Sequence, residues 1–320
     1  MTPRPTPPAW FTRCSPTPIC SPARMPATPT PPGCFMTAIS LTLTSPLEPS
    51  VRDTLGDMNT VAAALGIDYV LIGATARDIV LHHLFGAPRP RATRDIDFAI
   101  YVRDWDDYRR VRHALVGRGY TPEREPHRLH SPQGDTLDLL PFGGVAAGEP
   151  AIAWPPDGAV VMSVMGFAEA CRSAYRVSYP APPEITFKVA NLESQILLKL
   201  VSWSERTPAE RRKDAADIAY LLQHYWREDQ DQGTLWQAPW LARLEANDHD
   251  HALVSLQLLG QRAARIANAD TLAHVTSLLE GTHPQRSLET LAIEMGRASH
   301  TPTDTCLGWL DQLHQGFLLV

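Results

Sequence analysis

Arg94-Asp95-Ile96-Asp97-Phe98-Ala99-Ile100-Tyr101-Val102 is the stretch whose reading decides the fold. Side chains alternate along a β-strand, so Ile96, Phe98, Ile100 and Val102 share one face. Asp95, Asp97, Ala99 and Tyr101 share the other. Two carboxylates therefore project side by side from a strand that is otherwise apolar. At an effective dielectric of about 20, like charges about 4 Å apart repel by roughly 4 kcal/mol. A hard divalent cation removes that cost, and carboxylate oxygens suit Mg²⁺.

The flanking sequence supports this reading. Upstream, Asp68-Tyr69-Val70-Leu71-Ile72-Gly73-Ala74-Thr75-Ala76-Arg77-Asp78 reads as a strand, a tight glycine turn and a helix start. Such a turn presents backbone N–H groups to an anion. Downstream, Asp135 to Phe142 is a second alternating strand, with Asp138 on the face opposite Leu137 and Leu139. If the two strands lie side by side, Asp95, Asp97 and Asp138 converge beside a phosphate-binding turn. That layout suits two-metal phosphoryl or nucleotidyl transfer.

The chain has 320 residues, enough for two domains and a tail, and 44% of them are hydrophobic. A net charge of −6 argues against a large non-specific nucleic-acid surface but leaves room for a local basic patch. No run is long and apolar enough to span a bilayer, and no secretory leader is evident. Of the five cysteines, Cys14, Cys20 and Cys34 lie in a Pro-rich head. Cys171 and Cys306 lack metal-ligand spacing, which indicates a reducing, cytoplasmic setting without structural disulfides.

Residues 1–46 form that head, and Met1 to about Phe35 is expected to be disordered for want of an apolar pattern. Met25 and Met36 are alternative starts. A helical stripe runs from about Pro49 to Leu65 and stops at Gly66. The helix after Gly73 extends to about Phe85. Asp104 caps the next helix, on which Trp105, Tyr108, Val111 and Leu115 recur at helical spacing. A hairpin around Tyr120 and His127 to His130 leads into the Asp138 strand. Further strands and a short helix fill Val160 to Val189.

A helical domain follows, residues 189–320 against 47–188 for the sheet domain. Asn191 caps a helix carrying Leu192, Ile196, Lys199, Leu200 and Trp203. Thr207, Pro208 and Glu210 form a capping box for the next, whose inward stripe is Asp214, Ile218, Leu221, Leu222 and Tyr225. Lys199 and Asp214 thus lie on apolar faces, where charged residues are unusual. They either staple two helices as an ion pair or belong to the site, with Lys199 reaching phosphates and Asp214 orienting it. Leu253 to Ile266, Leu272 to Leu279 and Leu288 to Met295 mark three more amphipathic helices.

Gly73-Ala74, Arg77-Asp78 and Thr93-Arg94-Asp95-Ile96-Asp97 together resemble the nucleotidyltransferase signature of the DNA polymerase β superfamily, most nearly the AbiEii/AbiGii-type nucleotidyltransferases. Leu137-Asp138-Leu139-Leu140-Pro141-Phe142-Gly143 matches the third-carboxylate strand, and Lys199 with Arg212-Lys213-Asp214…Asp217 matches the downstream Lys-Asp segment. The likeness covers about Asp68 to Tyr225. It implies an α+β protein, with a mixed β-sheet of nucleotidyltransferase fold flanked by helices and a C-terminal helical domain after it. It implies Mg²⁺, replaceable by Mn²⁺, on Asp95, Asp97 and Asp138, with a nucleoside triphosphate as substrate. Gly73, Ala74, Thr75, Arg77 and Lys199 would surround the triphosphate, and Lys199 and Asp214 would be functional. Ala74 departs from the usual Gly or Ser and removes a hydroxyl contact to phosphate.

Characterised relatives are toxins of bacterial toxin–antitoxin systems, some of which add nucleotides to tRNA. The resemblance therefore implies transfer of a nucleoside monophosphate to an acceptor hydroxyl, with tRNA as acceptor and an antitoxin as partner. A tRNA acceptor calls for a basic rim, for which Arg89, Arg91, Arg94, Arg211, Arg212 and Lys213 are candidates. A small-molecule acceptor of the antibiotic type calls for an acidic or aromatic pocket. A third alternative is a protein of this fold that binds nucleotide or antitoxin without turnover.

Overall fold

Strand β3 (Asp95–Val102) is the middle of the sheet, and its burial follows its alternation. Ile96, Phe98, Ile100 and Val102 are all buried, while Asp95 and Tyr101 are exposed on the other face. Each such apolar side chain contributes about 2 kcal/mol when removed from water. The computed structural model describes residues 39–320 apart from 90–93, 147, 149, 157, 159, 181 and 183. The expected disorder up to about Phe35, and Arg91 and Thr93, lie outside the described residues.

The described chain opens with strand β1 (Ser40–Thr42), helix α1 (Pro49–Leu65) and strand β2 (Asp68–Ile72). Strand β1 falls within the stretch expected as head. Helix α1 has the bounds its stripe predicts and stops at Gly66, which is left-handed at φ 65°. Helix α2 (Gly73–Arg77) follows β2 without a linker and widens into a π-helical segment, Asp78–Leu84. After β3 come α3 (Trp105–Val116), β4 (Thr121–Pro122), β5 (Arg128–His130) and β6 (Thr136–Gly143). Asp104 caps α3 as expected, its carboxylate accepting from the Asp107 N–H. Then β7 (Ala151–Ala153), β8 (Val161–Ser163), α4 (Phe167–Ser173), β9 (Tyr175–Tyr179) and β10 (Ile185–Val189) complete the sheet region.

Eight described strands form one mixed sheet in the order β1-β9-β10-β2-β3-β6-β5-β4, and β7 and β8 pair separately. Strand β2 is antiparallel to β3, and β6 is parallel to it. The α+β expectation holds: a mixed sheet flanked by helices, with a helical layer after it. That layer contains α5 (Leu192–Glu205), α6 (Arg211–His224), α7 (Trp226–Gln232), α8 (Trp240–Ala246), α9 (His251–Ile266), α10 (Ala269–Leu279), α11 (Leu288–Ser299) and α12 (Thr303–Phe317).

Helix α6 starts at Arg211, three residues later than the capping box suggests. Only half the box forms. The Glu210 carboxylate accepts from the Thr207 N–H, but the Thr207 hydroxyl donates to that same carboxylate. No helix among the described residues is long and apolar enough to cross a membrane.

Candidate active site

Register decides where the carboxylates meet. Asp97 has Ile72 of β2 on one side and Asp138 of β6 on the other. Adjacent strands lie about 4.8 Å apart, so Asp97 and Asp138 are direct neighbours on one face. Asp95 stands two residues away on that face, at the exposed start of β3. Strand pairing thus places Asp138 beside Asp97, with Asp95 two residues along the same strand.

Because Ile72 ends β2, the next residue, Gly73, packs directly on Asp97. Its φ is +72°, a region that L side chains rarely adopt. A Cβ placed there would overlap Asp97 Oδ2. Glycine is thus required twice, for the turn and for the close approach. Thr75 fastens this turn to the site strand, its hydroxyl donating to the Asp95 carbonyl at 2.8 Å. Ala74 is half-buried beside them.

The charges are crowded. Burial, then the Asp138 carboxylate, pushes the Asp97 carboxyl up to about 7, with Asp95 adding to the effect. Lys199 and Arg206 act against it. Lys199 projects from α5 and is only 16% exposed. Its Nζ lies 3.0 Å from Asp214 Oδ1 and 2.6 Å from Asp217 Oδ2, both on α6. Burial pulls the ammonium down, but Asp217 and Asp214 more than offset it and raise its pKa. Arg206 closes the far side, 2.8 Å from Asp214 Oδ2. Arg77 donates to Asp78 at 2.6 Å and 2.9 Å, pairs with Asp217, and lies over the Tyr220 ring. The ion-pair staple and the site are therefore one network: Lys199 joins α5 to α6 and its charge reaches Asp97.

Two expectations read differently in space. Arg77 is buried and committed to carboxylates of the protein, so it braces Asp217. Asp138 is held by Arg128 of β5, its directly opposed neighbour. Nε lies 2.8 Å from Oδ1 and one terminal nitrogen 2.9 Å from Oδ2, a bidentate clasp. Asp138 in turn raises the pKa of that guanidinium.

Sequence reasoning missed Arg128, although the alternation of Arg128-Leu129-His130 placed it on the open face. It also left Asp217 out of the site, although Asp217 lies one helical turn beyond Asp214. Of the expected basic rim, Arg94 is exposed, Arg89 pairs with Glu48, and Arg211 pairs with Glu294.

Among the described residues, no group of three His, Cys, Asp or Glu side chains is arranged to hold a metal ion as it stands. Both Asp138 oxygens are engaged by Arg128. The donor chemistry nonetheless fits a hard cation: three neighbouring carboxylates, one of them pushed up to about 7 by burial first and by the adjacent Asp138 second.

The sequence profile of a family described as "Nucleotidyl transferase AbiEii toxin, Type IV TA system" matches residues 57–293, from within α1 to within α11. The chain belongs to the AbiEii nucleotidyl transferase family. No curated protein matches this AbiEii-family chain. Among solved structures, it is similar to an antigenic nucleotidyltransferase-like protein from Paracoccidioides brasiliensis, at 15% identity and a TM-score of 0.36, over 62% of this chain and 94% of the other. It is also similar to the antibiotic-resistance factor ANT(2'')-Ia, at 14% identity and a TM-score of 0.34, over 64% and 98%. A Thermotoga maritima CCA-adding enzyme solved with tRNA shares 10% identity at a TM-score of 0.23, over 85% and 82%.

Proposed function

We propose that this AbiEii-family protein is a divalent-metal-dependent nucleotidyltransferase that moves a nucleoside monophosphate from a nucleoside triphosphate to a hydroxyl of tRNA. The observation that carries the reading is Asp97 in register with Asp138 while Gly73 packs against it.

Asp95, Asp97 and Asp138 are the residues that would hold Mg²⁺, or Mn²⁺ in its place. Metal ions so held lower the pKa of an attacking hydroxyl and neutralise charge on the attacking and leaving oxygens. The acceptor oxygen forms a bond to the α-phosphorus, the bond to the leaving pyrophosphate breaks, and Asp138 takes the hydroxyl proton. Lys199 supplies a fixed positive charge beside Asp97 for the triphosphate, oriented by Asp214 and Asp217. The turn at Gly73, Ala74 and Thr75 lets backbone rather than side chains approach the phosphates. Arg77 acts at one remove, through Asp217. Exposed Arg94 and half-exposed Arg206 suit an anionic macromolecule better than a cationic antibiotic. Membership of a toxin family supports the further reading that the protein works in the cytoplasm opposite a cognate antitoxin.

Purified protein incubated with a total tRNA pool, each labelled NTP in turn, and Mg²⁺ or Mn²⁺ is the test. Labelled tRNA is expected with the wild type and not with Asp97→Asn. No label with any NTP and either metal, or equal label with the variant, overturns the proposal. Nucleotide binding without pyrophosphate release would identify a binding protein instead.

A further inference from the structure

Arg128 occupies an unusual position. It clasps Asp138 in a bidentate pair, at 2.8 Å and 2.9 Å, yet its side chain remains 35% exposed. On its other side stands Glu123, between the short β4 strand and β5, with Oε2 4.0 Å from Arg128 Nε. The second oxygen of Glu123 is paired with His130. One guanidinium thus has two carboxylates within reach, one bound now and one a short displacement away. Asp138 is only 13% exposed, whereas Glu123 is 29% exposed. The two arrangements therefore differ chiefly in whether a deep carboxylate or a shallow one carries the arginine.

We infer that Arg128 is a displaceable counter-ion for the metal site, clasping Asp138 until a divalent cation takes that carboxylate and then transferring to Glu123. The inference rests on the functional reading above, which assigns Asp138 to the metal. Its physical basis is competition. The two-point clasp occupies one lone pair on each Asp138 oxygen, so a divalent cation that approaches the carboxylate from that side must displace the arginine, and the free energy of the clasp is then subtracted from that of metal binding. Glu123 reduces that cost by receiving the freed charge. Metal loading and the position of the β4–β5 hairpin side chains are then linked, and a bound cation converts Asp138 from the partner of an arginine into a group able to face the acceptor.

A clasp that is only structural makes a different prediction. Arg128 and Asp138 are opposed residues on paired strands, so a purely cross-strand role would alter stability and leave metal affinity alone.

The test is calorimetric titration of the full-length protein with Mn²⁺ alone, without nucleotide, alongside Mn²⁺-induced shifts in melting temperature. Arg128→Gln is expected to bind Mn²⁺ about ten-fold more tightly than wild type, since the competitor is gone. Glu123→Gln is expected to bind about three-fold more weakly, since Arg128 loses its alternative partner. Arg128→Lys, which keeps the charge but cannot make the two-point clasp, should fall between wild type and Arg128→Gln, and serves if the glutamine variant folds poorly. Opposite shifts for the Arg128 and Glu123 variants support the inference. Unchanged or weakened affinity in both Arg128 variants overturns it, provided that Asp97→Asn abolishes binding. If Asp97→Asn binds Mn²⁺ as wild type does, or if no variant binds, the metal-site reading itself fails and the inference falls with it.

Discussion

Two clusters of buried charge lie in this molecule, and they contrast. One is the network of Asp97, Lys199, Asp214, Asp217 and Arg77, beside the start of the central strand β3. The other is sealed among β9, α5, α7 and α9. There the Tyr175 hydroxyl donates to Glu228, the Tyr225 hydroxyl donates to Glu193 at 3.2 Å, and Arg262 lies 3.7 Å and 3.9 Å from the two carboxylates. Both clusters force a carboxyl upward: Asp97 to about 7 and Glu228 to about 8, each by burial first and a neighbouring carboxylate second. A displaced pKa therefore does not distinguish site from scaffold here. Access does. Asp95 beside Asp97 is exposed, and a glycine turn packs against Asp97, whereas Glu193 is 4% exposed and Glu228 is 1% exposed. The first cluster opens to solvent beside Asp95. The second holds helices to the sheet.

The largest expected effect separates the two. Asp97→Asn should lower tRNA labelling by about a thousand-fold or more, the scale of removing a central electrostatic group. It should not lower the melting temperature, because Asn mimics the neutral carboxyl that burial favours. Glu228→Gln should leave labelling within about two-fold of wild type. If both variants lost activity alike, the contrast between the clusters would disappear.

Next in size is Lys199→Met. It removes a cation from two buried carboxylates and should destabilise the protein by about 3 kcal/mol in denaturant titrations, in addition to its effect on labelling. Asp214→Asn in the same background should recover part of that stability and none of the activity. Gly73→Ala comes next. An alanine held at positive φ costs about 1–2 kcal/mol and here would also push against Asp97, so labelling should fall more than stability does.

A further effect concerns pH. In the folded protein Glu228 keeps its proton up to about 8, whereas the unfolded chain releases it at the ordinary glutamate value. Between those limits the unfolded state binds fewer protons, so this group makes stability fall as pH rises. The slope from one such group is at most about 1.4 kcal/mol per pH unit. Denaturant midpoints from pH 5 to pH 8 should fall more steeply for wild type than for Glu228→Gln. Parallel curves would show that Glu228 is ionised in the fold.

Local chemistry made much of this legible beforehand. The stripe from Pro49 to Leu65, the Asp104 and Asn191 caps and the alternation of β3 all appear in the structure as expected. Each depends on residues within one or two turns of each other. Helix α12 carried its own signal, in Cys306, Leu310, Leu313 and Phe317 at helical spacing, and went unmarked. Helix α7 offered none, because Trp226–Gln232 is almost wholly polar. It is held instead by the buried Glu228 and by Asp229, which accepts from the N–H groups of Thr234 and Leu235.

By itself the sequence determined the carboxylate pair on one strand face, the glycine turn, and the out-of-place Lys199 and Asp214, because these follow from side-chain periodicity and from the cost of burying charge. Only the tertiary structure decided that Asp138 is gripped by Arg128, that Arg77 braces Asp217, and that Lys199 joins α5 to α6 through Asp214 and Asp217. Those partners are set by strand register and helix packing between segments from ten to 140 residues apart, and nothing local encodes which charge meets which.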